Sequence, residues 1–249
     1  MQVIGIIPAR YSSQRLPAKP LADICGKPMI QWVYEQAKKS QLLNEVIVAT
    51  DNQKILDVVK NFGGKVVMTP ECESGSDRVA LVARTFPTAQ VVVNIQGDEP
   101  LISPQLIDEC VDALIKDGNA VVATAVKKIE SENEIKNPNV VKVVLDKNNY
   151  ALYFSRAEIP FVRDTKSIST MFYKHYGIYI YRANFLQHYT IMQPTMLEQT
   201  EKLEQLRILE NGFRIKCVIT EAESFSVDTQ EDLEHVRTIM NNKIISKKL

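Results

Sequence analysis

Short apolar runs rich in β-branched residues alternate along this 249-residue chain with stretches whose apolar positions recur at helical spacing. That alternation restricts the fold more than any other feature. A strand buried on both faces reads as a continuous apolar run, and joining it to a parallel neighbour requires a crossover helix, so the pattern predicts a mostly parallel sheet wrapped by helices. Val3–Ile7 is the first such run. Lys27-Pro28-Met29 opens a helix with Met29, Trp32, Val33 and Ala37 on one face. Strands are expected at Val46–Ala49, Val66–Met68, Val91–Ile95 and Ala120–Val126. The helices between them run over Gln53–Phe62, with Gly63 as its cap, Ser76–Phe86, and from Ser103-Pro104 to Ile115. Beyond Val126 the pattern changes. Val140–Leu145 and Ala151–Phe154 flank Asp146-Lys147-Asn148-Asn149 as a hairpin, residues 156–172 are irregular, and Lys174–Tyr181 returns as a strand. Helices at about 184–190 and 198–210, a strand at Ile215–Ile219 and a last helix capped by Thr229 complete the expectation. Residues 1–249 are expected to form one α/β domain.

Lysine plus arginine and aspartate plus glutamate number 30 each, so no overall basic field exists to recruit nucleic acid. An anionic ligand must be met by a local cluster of cations. Cys25, Cys72, Cys110 and Cys217 form no C-x-x-C pair, which points away from a disulfide framework or zinc site and towards a reducing cytoplasm. No apolar run approaches the roughly 20 residues that span a bilayer. The apolar start reads as a buried strand rather than a signal peptide, and no membrane partner is expected.

Ligands of open α/β sheets sit beyond the carboxyl ends of the strands. The first loop in that position, Pro8 to Pro20, holds Arg10, Arg15, Lys19, Ser12 and Ser13 within ten residues. Small hydroxyl residues permit close backbone approach and cations neutralise phosphate charge, so the loop suits a polyphosphate, although it matches neither G-x-x-x-x-G-K-[ST] nor G-x-G-x-x-G. A polyphosphate usually brings magnesium, which takes carboxylate oxygens. Asp98 follows a strand in a Gly-Asp-Glu-Pro turn, and Asp228 lies between an extended segment and the last helix. A turn-forming Asp98 and a dipole-stabilising Asp228 are the competing readings, and 130 positions separate the two carboxylates. His175, His188 and His235 are too scattered to form a metal triad.

Several of these segments resemble one family. Ile7-Pro-Ala-Arg-Tyr-Ser-Ser-Gln-Arg-Leu-Pro-Ala-Lys-Pro-Leu, Gly26-Lys-Pro-Met-Ile, Ala49-Thr-Asp, Asn94-Ile-Gln-Gly-Asp-Glu-Pro, Asn137-Pro-Asn-Val-Val-Lys-Val-Val, Ala151-Leu-Tyr-Phe-Ser-Arg, Gly177-Ile-Tyr, Leu203-Glu-Gln-Leu-Arg and Val227-Asp-Thr are similar to segments of the 3-deoxy-manno-octulosonate cytidylyltransferases, or CMP-Kdo synthetases. The resemblance implies a Rossmann-like nucleotidyltransferase fold with an inserted antiparallel dimerisation lobe, to which residues of about 136–195 contribute, and a homodimer. It implies transfer of CMP from CTP to the acidic sugar Kdo, with release of pyrophosphate, for the lipopolysaccharide inner core. Carried over by motif, Arg10 and Lys19 would be catalytic. Ala9, Arg10, Ser13, Arg15, Lys19, Ser74, Asp77, Arg78 and Gln96 would bind CTP, and Asp98 and Asp228 would hold Mg2+. Arg156, His175, Tyr179, Glu204 and Gln205 would line the sugar pocket. The chain departs from the family pattern at Cys72, where a histidine is frequent, at Ser224-Phe225-Ser226, where glycine is frequent, and in the short stretch from Pro160 to His175. These departures leave the acceptor open between Kdo and a close analogue such as 8-amino-Kdo. An acylneuraminate acceptor and a binding-only module remain the rival readings.

Overall fold

A computed structural model describes residues 1–12, 15–164 and 171–246 and divides the chain into two compact units. Met1–Asp108 and Glu223–Leu249 form the first unit, and Glu109–Ala222 the second.

In the first unit β1 (Gln2–Ala9) lies between β4 (Glu45–Thr50) and β6 (Ala89–Asn94), parallel to both, and β5 (Val66–Met68) extends the sheet beyond β4. Val3 to Ile7 is buried throughout, as a strand covered on both faces requires. The register pairs Ala9 with Thr50, so the loop starting at Arg10 and the turn starting at Asp51 leave the same edge of the sheet.

The helices form where the apolar period predicts. α1 (Met29–Ala37) buries Met29, Ile30, Val33, Tyr34 and Ala37. The helix α2 (Gln53–Asn61) ends in a Schellman motif, with Gly63 at φ 78°, Gly63 N–H donating to Lys60 O and Gly64 N–H donating to Val59 O, each at 2.9 Å. α3 (Gly75–Ala83) starts from Ser74, and α4 (Pro104–Lys116) has Ser103 Oγ accepting from Leu106 N–H at 3.3 Å.

One local expectation is corrected. Lys27 and Pro28 are not helical; they form β3 (Lys27–Pro28), which pairs antiparallel with β2 (Asp23–Ile24). Cys25 and Gly26 between them both have positive φ, 51° and 83°, the backbone of a two-residue hairpin turn. The C-terminal helix Gln230–Ser246 packs Leu233, Val236 and Met240 against Ile24, Met29 and Val227, with Leu16 at the edge of the cluster. This apolar contact anchors the loop after β1, because Leu16 is one of its residues.

In the second unit β7 (Val122–Lys128) pairs antiparallel with β10 (Tyr173–Arg182) and parallel with β11 (Ile215–Ile219). The expected hairpin is present as β8 (Lys142–Leu145) and β9 (Ala151–Ser155), with β8 also paired to β10. A short helix that the apolar period did not mark, α5 (Glu132–Lys136), buries none of its residues and so leaves no apolar signature.

α6 (Ala183–Tyr189) forms as expected. The single helix expected over 198–210 is instead two, α7 (Met196–Glu201) and α8 (Leu206–Glu210), because Lys202 takes the left-handed conformation at φ 55°. Glu198 makes the break stable. Its carboxylate accepts from Thr195 N–H at 3.1 Å in a capping box and takes both Nε and Nη2 of Arg207, at 2.7 and 2.5 Å.

The deepest polar feature of this unit is Lys142, whose residue accessibility is 0%. Its ammonium donates to the carbonyls of Asn137, Val140 and Arg156 at 2.8, 2.7 and 2.7 Å, tying the segment before β8 to the end of β9. Lys142→Met keeps most of the volume and strands three carbonyls. At about 1 kcal/mol or more for each buried acceptor left unpaired, the loss is about 3 kcal/mol. At 2–4 °C per kcal/mol in a chain of this size, that lowers the melting temperature by roughly 6–12 °C. Thermal unfolding followed by circular dichroism checks this, and a shift inside experimental error would refute it.

Candidate active site

The loop after β1 places its lysine through a short 3-10 turn, Lys19–Leu21, entered from Ala18 at φ 53°. Lys19 Nζ then lies 2.6 Å from Asp98 Oδ2 and 3.0 Å from Asp228 Oδ1. Arg15 Nη2 reaches the same Asp228 oxygen at 3.0 Å. The side chains of Lys19, Asp98 and Asp228 are 16%, 22% and 39% exposed, so the charges sit at the rim of the fold rather than in bulk water. Burial by itself would lower the lysine pKa. The charge of Asp98 and its hydrogen bond, joined by Asp228, outweigh it and hold Lys19 above its ordinary value, firmly protonated.

The backbone brings the two aspartates together: Val227 N–H donates to Asp98 O at 2.9 Å. Asp232 Oδ2 accepts from the N–H groups of Asp228 and Thr229 at 3.0 and 2.8 Å, and Thr229 Oγ1 accepts in return from Asp232 N–H at 3.2 Å. The expected Thr229 cap is therefore a full capping box that also fixes Asp228. A second tie, invisible in the sequence, is Ser224 Oγ donating to Glu99 Oε2 at 2.8 Å. Burial, opposed by the Ser224 hydrogen bond and assisted by the charge of Asp98, pushes Glu99 up to about 7.

Three segments converge beside β1, and Gly97 is the residue whose missing side chain this requires. A Cβ on Gly97 would stand 2.9 Å from Pro8 O, and one on Gly75 would stand 3.6 Å from the Pro8 ring. The turn before Asp98 and the start of α3 therefore both rest on Pro8, next to Ala9, which is buried, and Arg10, which is exposed. Lys54 from the first turn of α2 lies 5.3 Å over the ring of Tyr11 and steadies the loop. Gln96 is half-buried in the turn after β6, and Ser13 lies outside the described residues.

Ser74 and Asp77 are engaged with each other, as the N-cap and third residue of α3. Arg78, 3% exposed, bonds Asp51 Oδ2 at 2.5 Å and also Thr69. Its guanidinium braces the ends of β4 and β5, a role that the sequence did not reveal because Asp51 is 27 positions away.

The five residues expected to line the sugar pocket all lie in the second unit. The ring of His175 is 5.3 Å from that of Tyr179 and 5.1 Å from that of Phe154. Burial, with the charge of Glu204 contributing, pushes the Tyr179 hydroxyl well above its ordinary value. The break between α7 and α8 puts Glu204 and Gln205 in a turn instead of on a helix face, and Glu204 O accepts from the Tyr189 hydroxyl at 3.1 Å. Arg156 donates from Nε to Glu201 O at 2.8 Å and from Nη1 to Pro138 O at 3.0 Å, which fastens it to the segment leading into that turn.

Burial also drives His175 down to about 3. An unfolded histidine titrates near 6.5. Between those values the unfolded chain binds a proton that the native state refuses, so stability present above about pH 6.5 is lost as pH falls towards 3. The urea midpoint of the wild type is expected to drop further between pH 7.5 and pH 5.0 than that of His175→Gln. Equal drops would contradict the neutral ring.

Asp98 and Asp228 offer hard oxygen donors that already share one cation, the Lys19 ammonium. Among the described residues no cluster of three or more histidine, cysteine, aspartate or glutamate side chains could hold a metal on its own. A pair of carboxylates fits magnesium, which keeps several waters and takes substrate phosphate oxygens as further ligands.

A strand-end loop that gathers cations beside two carboxylates, in an α/β unit with a parallel sheet, suits a nucleotidyltransferase, and the family match shows that class: the model described as "Cytidylyltransferase" matches residues 4–217. Two 3-deoxy-manno-octulosonate cytidylyltransferases, from Vibrio parahaemolyticus serotype O3:K6 and Chloroherpeton thalassium, are 50% and 48% identical to this chain, each match covering 98% of it and 100% of the relative. The solved structure of CMP:2-keto-3-deoxy-manno-octonic acid synthetase complexed with CTP covers 98% of this chain and 100% of its own, at 42% identity and a TM-score of 0.93. The chain belongs to the 3-deoxy-manno-octulosonate cytidylyltransferase family. A cytidylyltransferase from Leptospira borgpetersenii, 18% identical with a TM-score of 0.66, shares the fold.

Proposed function

We propose that the protein transfers CMP from CTP to 3-deoxy-D-manno-octulosonate, releasing pyrophosphate in a magnesium-dependent reaction that feeds the lipopolysaccharide inner core. The observation that carries this reading is the full-length likeness, at 42% identity, to a synthetase whose structure holds CTP. The Lys19–Asp98–Asp228 constellation adds chemical support. The anomeric hydroxyl of the sugar attacks the α-phosphorus in line with the departing pyrophosphate, so positioning and charge neutralisation supply most of the acceleration. In this reading Arg10, Arg15 and Lys19 lie along the triphosphate, with Ala9, Ser13, Gln96 and the Ser74–Arg78 segment around the nucleotide. Asp98 and Asp228 would hold magnesium, which would supply charge neutralisation on the phosphate oxygens. Arg156, His175, Tyr179, Glu204 and Gln205 hold the acidic sugar.

A homodimer is part of the proposal. Leu152, Phe161, Met171, Ile191 and Met196 of the second unit are 52–88% exposed, an amount of apolar surface that favours a subunit contact. A cytoplasmic location is supported by the four free cysteines. Among the described residues no helix is long and apolar enough to cross a membrane.

Pyrophosphate release with CTP and Mg2+ tests the reading, with Kdo, 8-amino-Kdo and N-acetylneuraminate offered in turn. Release with Kdo supports it. Release only with 8-amino-Kdo or N-acetylneuraminate would reassign the acceptor, and silence with all three from folded protein would overturn the reaction.

A further inference from the structure

Thr124 sits in the interior of β7 opposite an irregularity in β10. Ala125 pairs with Tyr176 and Thr124 with Tyr179, so Gly177 and Ile178 have no partner in the β7 register and form a bulge. Along a regular strand two residues four positions apart are about 13 Å from each other. The bulge shortens that path and brings the His175 and Tyr179 rings to 5.3 Å. The Thr124 hydroxyl occupies the bulge, 2.7 Å from Ile178 O, 3.2 Å from Tyr176 O and 2.9 Å from His175 Nε2.

A threonine hydroxyl has one hydrogen to donate and lone pairs with which to accept. The two carbonyl oxygens only accept, so the single hydrogen goes to them, and the nearer is Ile178 O. Towards His175 the hydroxyl oxygen must then accept, which requires the proton of the imidazole to be on Nε2. If the hydroxyl donated to the ring instead, two oxygen–oxygen contacts at 2.7 and 3.2 Å would hold no hydrogen. Burial keeps the ring neutral, as its pKa of about 3 expresses. In a neutral Nε2–H imidazole, Nδ1 is a bare lone pair, and no hydrogen bond to it is made among the described residues.

We propose that Thr124 is a positioning residue that fixes His175 as its Nε2–H tautomer, so that Nδ1 is presented as a hydrogen-bond acceptor for a hydroxyl group of the acidic sugar. The ligand half of this inference rests on the reading of His175 as a sugar-pocket residue; the tautomer half does not. His175 in this state offers no positive charge to the sugar carboxylate. It selects instead for a donor at one position, a discrimination that a buried acceptor makes strongly because an analogue lacking the donor leaves it unpaired.

Long-range 1H–15N correlation spectra of the imidazoles test the proposal on the full-length protein. The chain has three histidines, and the spectrum of His175→Gln identifies the signals of His175. The expected result is a neutral Nε2–H pattern for His175, unchanged between pH 8 and pH 5.5. Thr124→Ser, which keeps the hydroxyl, should preserve it, and Thr124→Val should shift the population towards Nδ1–H. In parallel, Thr124→Val should raise KM for the sugar roughly 5- to 10-fold, the worth of one hydrogen bond, with KM for CTP unchanged, and Thr124→Ser should restore it.

An Nδ1–H pattern or an imidazolium in the wild type overturns the tautomer. A tautomer that Thr124→Val leaves in place overturns the positioning role, and a moved tautomer without a change in sugar KM overturns the ligand half. Should Thr124→Val not fold, the wild-type and Thr124→Ser spectra decide the tautomer. Failure of the proposed function would show differently, as a wild-type enzyme that forms no CMP-sugar while its histidine spectrum still carries the Nε2–H pattern.

Discussion

Asp98→Asn is expected to reduce kcat on the order of 10³-fold if, as proposed, its carboxylate holds the metal, because the several kcal/mol of charge stabilisation that a metal contributes at phosphorus would vanish with it. The substitution keeps the shape of the side chain, so the hydrogen bond from Val227 N–H to Asp98 O and the turn built on Gly97 stay in place. It also leaves Lys19 with Asp228 as its remaining carboxylate, and that aspartate is shared with Arg15. Two measurements beside turnover separate a lost metal site from a lost fold. The melting temperature should fall by a few degrees at most, and Mn2+ titrated against the protein with CTP should bind more weakly. A folded variant with near-normal kcat would overturn the proposal that Asp98 holds the metal.

Lys19→Met is expected to lower kcat on the order of 10²–10³-fold, the loss typical of one electrostatic donor aimed at developing charge. Its effect on the metal should run the other way. In the wild type the ammonium stands 2.6 and 3.0 Å from the two carboxylates, so a divalent ion that takes those oxygens has a positive neighbour. Removing that charge should tighten Mn2+ binding while the chemistry slows. Titrating Mn2+ against Lys19→Met alongside its single-turnover rate tests both halves. Weaker metal binding would mean that the lysine supports the carboxylates rather than competing for them, and an unchanged rate would exclude Lys19 from the transfer step. Asp98→Asn and Lys19→Met share a contact, so their effects should not add in the double variant.

Most of the strand-and-helix order in both units was legible because most elements carry their own signal. β5 and β11 begin and end where the apolar runs do, Gly63 ends α2, and Ser103 and Thr229 cap the helices after them. Signals of this kind lie within a few residues of the structure they cause. The misread elements are those whose cause is tertiary or whose pattern is too short. Lys27 and Pro28 were read into a helix because their apolar neighbours have helical period, yet positive φ at Cys25 and Gly26 turns them into a hairpin. The break at Lys202 depends on Arg207 folding back onto Glu198, a contact between two helices that periodicity treats as one.

The candidate site divides in the same way. The sequence by itself determined that cations follow the first strand and that a carboxylate follows the strand ending at Asn94, because strand ends and turn residues are local properties. The family resemblance then named the residues. Only the tertiary structure decided that Asp98 and Asp228, 130 positions apart, share the ammonium of Lys19. It alone showed Arg78 as a brace for Asp51 and the Thr124 hydroxyl within hydrogen-bond distance of the His175 ring. A hydrogen bond is fixed by distances of about 3 Å and by which atom carries the hydrogen. Sequence spacing carries that information within a helix or a tight turn. Between strands brought together by a bulge or a crossover it does not, and packing alone sets the distance.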